Sequence, residues 1–377
     1  MTTLHLCIAT GQNAANLIPL KQLDAQEVWI LETPPMRVNH SGAHLETALK
    51  PYCPKITRVD FDDSTPTAIA NSAFKLVDGK LDGRDVVFHV TGGTKLMVLA
   101  INKKLELLAT GSGTLRVVYA NTAHQRLDWL AEEPHVEPMQ DVLTLQDLLL
   151  VQGYRTTNDT RHAPAQQRAA ARADVSRNMG DNAAHYRGFF SALATVANRA
   201  SASTDHLVQH FDYSPGGRQG DLLELAASRG LVTWIRGDER ITFIDCECAA
   251  YLAGAWLEEF VFLKLTGLFG AGQFAINAKV IHEHSQSRNE IDAMVIHRNR
   301  SLLVECKTGK QTSAEEAIYK LGQVRGQVGG IMSRGLYVSA QQVSDVHRKR
   351  AKEYGIDVLA VEDLSKISVY LRDWKGS

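Results

Sequence analysis

Short apolar runs recur through the first third of the chain, at residues 4–9, 28–32, 56–61, 86–90 and 115–120, and the stretches between them read as helices. Strands alternating with helices predict a doubly wound parallel sheet of Rossmann type, since a strand that returns in parallel needs a crossover long enough to hold a helix. The run Pro134-His135-Val136-Glu137-Pro138 reads as the exit from this unit. Residues 141–152 then predict a helix. Residues 155–182 are rich in Ala, Arg, Gln and Asp, with few large apolar side chains, and predict a mobile connector or an exposed helix. From 186 to 244, helical segments lead into a hairpin of strands 232–235 and 241–244 about Gly237-Asp238, an order that predicts a winged-helix-like unit. The last third opens on a strongly apolar helix at 254–261. It continues with strands 293–296 and 301–304, a helix at 315–323, and strands 335–339 and 356–360. Three units follow from this pattern: 1–137, 138–250 and 251–377.

The hairpin of the last unit carries the most specific chemistry. Its strands are joined by His297-Arg298-Asn299-Arg300, so Asp292 before the first strand returns opposite Glu305 at the end of the second. Two carboxylates there are hard oxygen ligands suited to Mg²⁺ or Mn²⁺, with the backbone carbonyl of Cys306 as a third, and such an ion activates water and neutralises charge on a phosphate. Lys307, two residues after Glu305 on the same strand face, points at the same place as a phosphate-holding point charge. An ordinary cross-strand ion-pair group is the alternative reading of these three residues. Glu290 shares a face with Asp292 and reads as exposed charge. Lys320 and Gln323, on the helix after the strand, read as ordinary solvent-facing side chains, with steering of the phosphate as the alternative.

Composition changes little. The 377 residues are 44% hydrophobic and 22% charged with a net charge of −1, so nucleic-acid binding has to rest on local patches. The most apolar segment, 251–272, is interrupted by Glu258, Glu259 and Lys264, and the first residues show no secretion signal. Five cysteines without C-x-x-C spacing read as reduced thiols, so a cytoplasmic protein is expected. Arg161, Arg168, Arg172 and Arg177 are diluted by acidic neighbours and read as a solvated face.

Two loops of the first unit are suited to an anion. Thr10-Gly11-Gln12-Asn13 follows the first strand, and Thr91-Gly92-Gly93-Thr94-Lys95 follows the fourth, where glycines let backbone amides approach a ligand at a helix start. Neither fits the dinucleotide or triphosphate fingerprints. Tight strand-to-helix turns are the plainer reading, and Thr94 is also placed to cap the helix.

Two family resemblances attach to these residues. Asp292 with Glu305-Cys306-Lys307 resembles the PD-(D/E)xK nuclease superfamily. The helix opening at Gly254-Ala255-Trp256-Leu257-Glu258-Glu259-Phe260-Val261 is similar to the first core helix of its Mrr-type members, which implies that Glu258, with Glu259 as rival, supplements the metal site. The Val90-to-Lys95 loop resembles that of the CARF domain, the sensor of cyclic oligoadenylates in type III CRISPR defence. That resemblance implies ligand contacts for Thr91, Gly92, Gly93, Thr94 and Lys95, and more loosely for Gln12 and Asn13. A CARF sensor followed by such a nuclease is the arrangement of the Card/Can-type nucleases. It implies an α/β chain with a Rossmann-like sensor, a helical and winged-helix-like connector and a restriction-endonuclease-like domain. It also implies a C2 homodimer gated by cyclic tetra-adenylate, with Asp292 and Glu305 holding Mn²⁺ or Mg²⁺ and Lys307 assisting the water that hydrolyses RNA or DNA. Two rivals stand beside it: a ligand-sensing DNA-binding regulator with an inert nuclease fold, and a sensor that itself cleaves the cyclic ligand.

Overall fold

The computed structural model describes residues 2–81, 83–109, 113–130, 133–158, 163–309 and 314–376. Arg161 lies outside them. Among the described residues, the first sheet holds β1 (Leu4–Ile8), β2 (Glu27–Glu32), β3 (Lys55–Asp60), β4 (Val86–His89), β5 (Leu115–Asn121), β6 (Arg126–Trp129) and β7 (His135–Pro138), in the order β3-β2-β1-β4-β5-β6-β7. The first five are parallel, as the alternation predicts. The strand order reverses between β1 and β4, the point at which open α/β sheets present a ligand crevice.

Two expectations need correction here. Residues 134–138 do not leave the domain: β7 pairs antiparallel with β6, with His135 opposite Trp129 and Pro138 opposite Arg126. It is an edge strand, so the missing N–H of Pro138 breaks no ladder. Of the two readings of 155–182, the helical one holds over 163–171 and 173–181, but the second of these helices is packed rather than exposed. Val175 and Met179 are fully buried in the core that also holds Trp256, Leu257 and Phe260, and an added Cβ on Gly180 would stand 2.4 Å from the Phe260 ring.

After β8 (Tyr154–Thr156), a three-stranded sheet forms from β9 (Val208–His210), β10 (Val232–Thr233) and β11 (Arg240–Phe243), ordered β10-β11-β9. With helices Arg187–Ser201 and Gly217–Ser228 this is the winged-helix-like unit. Asp221 and Glu224 of the second helix both pair with Arg236, at 2.5 and 2.7 Å, so the acidic helix is tied to its own wing.

The last sheet is ordered β16-β15-β14-β13-β12-β8, with β12 (Phe274–His282), β13 (Arg288–His297), β14 (Arg300–Lys307), β15 (Ser333–Ser339) and β16 (Ile356–Leu359). β8, from the expected connector, is its edge, with Tyr154 opposite His282. Both hairpin strands are longer than predicted, so Asp292 lies inside β13 rather than before it. At the hairpin tip Arg298 and Asn299 have φ of 50° and 58°, the two left-handed residues of a type I′ turn. Asn299 is 1% exposed. Its Oδ1 accepts from the N–H groups of Val142 and Leu143 at 2.9 and 3.0 Å, and its Nδ2 donates to the carbonyl of Gln140 at 2.6 Å. The tip thus docks on the chain just after the first sheet. One apolar core runs through that junction, from Cys7, Leu17 and Val28 past Leu148 to Met294 and Leu303.

Asn299→Ala should therefore strand the buried N–H of Leu143 and the half-buried N–H of Val142 and lower stability by about 1–3 kcal/mol. Denaturant unfolding checks this; wild-type stability in the variant would refute the docking role.

Candidate active site and sensor loops

The site is assembled from three elements. Helix Cys246–Ala250 passes through a π turn, Tyr251–Ala255, into helix Trp256–Thr266, and π turns of this kind gather at functional sites. Gly254 sits in that turn, where an added Cβ would come within 2.6 Å of Thr308 Oγ1, so the helix passes close to the residue that follows β14. Glu258 and Glu259 then diverge. Glu259 receives the Arg172 guanidinium, Nε to Oε2 at 3.0 Å, and that guanidinium also lies 3.9 Å from the Tyr251 ring centroid. Among the described residues Glu258 has no such partner, and it shares the cleft with Asp292, whose charge acts on it.

Asp292 sits where the side-chain alternation inverts. Ile276 and Ala293 belong to one core, Ala278 and Ile291 to the other, and Asn277 between them is left-handed at φ 48°. Asp292 Oδ2 accepts from the Cys306 N–H at 2.7 Å. Lys307 Nζ donates to Glu305 Oε1 at 2.5 Å and to the Cys306 carbonyl at 3.3 Å. The ammonium therefore rests on two oxygens of the expected ligand set. Arg168, Arg172, Tyr251, Asn277, Glu258 and Asp292 line an adjoining cleft of about 260 Å³.

The electrostatics agree. Burial, then the Asp292 charge, push the Glu258 carboxyl from its ordinary 4.5 up to about 7. Burial and the Glu305 charge push Asp292 from 3.8 up to about 6, against the Cys306 amide, Lys307 and Lys320. Burial disfavours the Lys307 ammonium, yet Glu305 and Asp292 hold its pKa above the ordinary value. Carboxyls crowded and desolvated in this way, with hard oxygens only, fit a divalent ion. Glu290 is exposed but adds to the field on Glu258.

At the other end of the chain the glycines of 91–95 do structural work. An added Cβ on Gly92 would lie 2.2 Å from the Ile8 carbonyl, and one on Gly93, at φ 82°, would lie 2.6 Å from the Ile8 side chain. They bring the loop after β4 against the loop after β1. Thr91 Oγ1 accepts from the Ala120 N–H at 2.9 Å, Thr94 Oγ1 from the Met97 N–H at 3.3 Å as a helix cap, and Lys95 is exposed. Asn13 is different from what was expected. It is buried, its Oδ1 accepts from the Thr10 N–H at 2.9 Å and its Nδ2 donates to the Ser41 carbonyl at 2.8 Å, so it builds the loop rather than facing a ligand. Gln12 Oε1 accepts from the N–H of Ile331 at 3.0 Å, a contact with the last domain that no local pattern announces.

A Rossmann-type sheet joined to a sheet bearing this carboxylate and lysine set defines the class of fold: a CARF-like domain fused to a PD-(D/E)xK, restriction-endonuclease-like domain. Residues 245–377 match the family described as Card1-like, endonuclease domain. Over the whole chain the fold is that of Can2 from Sulfobacillus thermosulfidooxidans, a structure in complex with cyclic tetra-adenylate, with 20% identity, full coverage of both chains and a TM-score of 0.79. Protein VC1899 from Vibrio cholerae shares it too, with 19% identity, 99% of this chain and 98% of that one covered, and a TM-score of 0.81. No curated protein sequence matches the chain. Among the described residues no helix is long and apolar enough to cross a membrane.

Because the folded Asp292 and Glu258 carboxyls titrate above their unfolded values, the metal-free native state binds protons that the unfolded chain releases. Their contribution is fully present below about pH 4 and is lost as pH rises through about 6 to 7. Metal-free protein should lose on the order of 1–3 kcal/mol across that window, and Asp292→Asn should flatten the slope. Thermal melts from pH 4.5 to 8 measure it; an unchanged slope in the variant would show that the crowding is not there.

Proposed function

We propose that this protein is a metal-dependent nuclease switched on by a cyclic oligoadenylate, serving type III CRISPR defence. The nuclease reading rests on one observation above the rest: Glu258, Asp292, Glu305, the Cys306 carbonyl and Lys307 converge beside an open cleft. The hard oxygens would hold Mn²⁺ or Mg²⁺, which supplies Lewis-acid stabilisation of phosphate charge and a more acidic water. Lys307 keeps its proton, neutralises the scissile phosphate and orients the attacking water. Arg168, half-exposed on the cleft wall although paired with Glu247 at 3.0 Å, is placed to meet a flanking phosphate of RNA or DNA.

The sensor reading rests on the paired loops at the strand-order reversal and on the likeness to Can2, which was captured with cyclic tetra-adenylate. Thr91, Gly92, Gly93, Thr94 and Lys95, with Gln12 at the margin, form the receiving surface. A two-fold symmetric ring suits two copies of these loops, so a C2 homodimer is the working assembly. Leu96 and Leu99, one helical turn apart beside the loop and 57% and 67% exposed, offer an apolar contact for it. In this reading 1–137 is the sensor, 138–250 the connector and 251–377 the nuclease, with β8 lent to the nuclease sheet. The regulator alternative is disfavoured because Arg236 occupies the acidic face of the helix that would have to read DNA.

The test is cleavage of labelled RNA, single-stranded DNA and supercoiled plasmid in Mn²⁺, with and without cyclic tetra-adenylate. Cleavage should require the activator and fall at least about 100-fold in Glu305→Ala. A hundredfold activation corresponds to about 2.7 kcal/mol of preferential binding to the competent state. Activator binding without cleavage of any substrate would support the regulator instead, and linear products from the activator would reveal a self-cleaving sensor.

Lys95→Ala should weaken activator binding about 10-fold while leaving unfolding unchanged, since the side chain is exposed. Calorimetric titration reads this, and equal affinity would remove Lys95 from the ligand surface.

A further inference from the structure

A second group of ligating side chains lies on the seam between the first domain and the last sheet. His44 sits on helix Ser41–Leu49, with His40 at its N-cap. Facing them are His282, the last residue of β12, and Glu283 and His284 in the turn that leads to β13. His44 Nε2 and His284 Nδ1 are 3.3 Å apart across 240 residues of chain. One ligand atom each from His44, Glu283 and His284 fall within 4.8 Å of one another. Two nitrogens sharing a tetrahedral Zn²⁺ at about 2.0–2.1 Å must lie about 3.3–3.4 Å apart, so the imidazole pair already has the required spacing.

The surroundings hold these groups in place. The His284 ring stacks on His40 with centroids 3.5 Å apart and planes 8° from parallel. The Gly153 carbonyl accepts from the Glu283 N–H at 2.8 Å. Gly153 has φ 77°, and an added Cβ would stand 2.4 Å from the His44 ring, so only glycine allows one backbone segment to seat both ligands. Among the described residues no lysine or arginine pairs with the Glu283 carboxylate. We propose that His44, Glu283 and His284 form a second metal site, for a borderline transition-metal dication of the zinc class, distinct from the all-oxygen set at Asp292 and Glu305. Two imidazoles and one carboxylate select such an ion over Mg²⁺, and the fourth position is open to water. An ion there would tie a helix of the first domain to a hairpin of the last sheet, whether or not the chain cleaves nucleic acid.

The experiment titrates Zn²⁺ calorimetrically into chelator-stripped full-length protein in millimolar Mg²⁺, comparing wild type with Asp292→Asn, His284→Ala and Glu283→Gln, with melts run in parallel. Wild type and Asp292→Asn should each bind one tight equivalent and melt higher with Zn²⁺. His284→Ala and Glu283→Gln should bind at least about 100-fold more weakly and lose the shift, more than the 10–100-fold typical of outer-shell changes. His284 and the Glu283 carboxylate lie at or near the surface, so the variants should fold, and their zinc-free melts verify it. Equal zinc affinity in wild type and both variants, or loss of the tight equivalent in Asp292→Asn, would overturn the proposal.

Discussion

The register of one hairpin governs this molecule. A two-residue turn at Arg298 and Asn299 fixes Ala293 opposite Val304, which brings Asp292 level with Glu305 and lets Asp292 take the Cys306 N–H. Side chains in a strand alternate with a period of two, so a slip of one residue would turn the carboxylates away from each other and invert both faces. The turn is therefore held from outside, by the buried Asn299 side chain on residues 140–143. The local inversion at Asn277 and Asp292 adds a second constraint, since it frees Asp292 from the face its neighbours bury.

The same hairpin makes the two ends of the chain one body. β14 sends Leu302 and Val304 into the core with the winged-helix-like unit, and Leu303 into the core shared with the first sheet. Gln12 closes the arrangement, its carboxamide touching Ile331 from the loop after β1. Gly330 makes that approach possible: at φ 67°, an added Cβ would meet Gln12 Oε1 at 2.5 Å. A displacement of the loops at the strand-order reversal thus reaches the segment before β15 through a hydrogen bond and a glycine contact. That is a physical route between the ends; a coupling energy requires, in addition, two arrangements that a ligand distinguishes.

What could be read from the sequence was what repeats locally. The five parallel strands follow from period, and the placement of Asp292 opposite Glu305 follows from the spacing of the hairpin. What was missed is non-local or masked by composition. β8 is three residues whose partner lies in β12, and β7 is bounded by prolines that read as a break. The segment 163–181 looked solvated because its few apolar residues are diluted by alanine and arginine, yet Val175 and Met179, four apart, lie on one helical face and seal a core. The choice between Glu258 and Glu259 depends on Arg172, some ninety residues earlier, and no motif announces it. Asn13 was misjudged because a polar residue in a glycine-containing loop can equally well cap its own backbone.

The two acidic regions also differ in what they cost the fold. Glu27 is buried, but Arg84 and Lys55 hold its carboxyl below the ordinary range even though desolvation opposes them, so its charge is compensated within the protein. Glu258 and Asp292 are pushed the other way, first by burial and then by their acidic neighbours, which Lys307, paired with Glu305, and the more distant Lys320 only partly offset. A fold selected for stability alone would pair or remove such groups. A desolvated carboxylate cluster beside a cleft is what marks a candidate functional site, and here it supports the proposal that a cation from solution completes the charge balance.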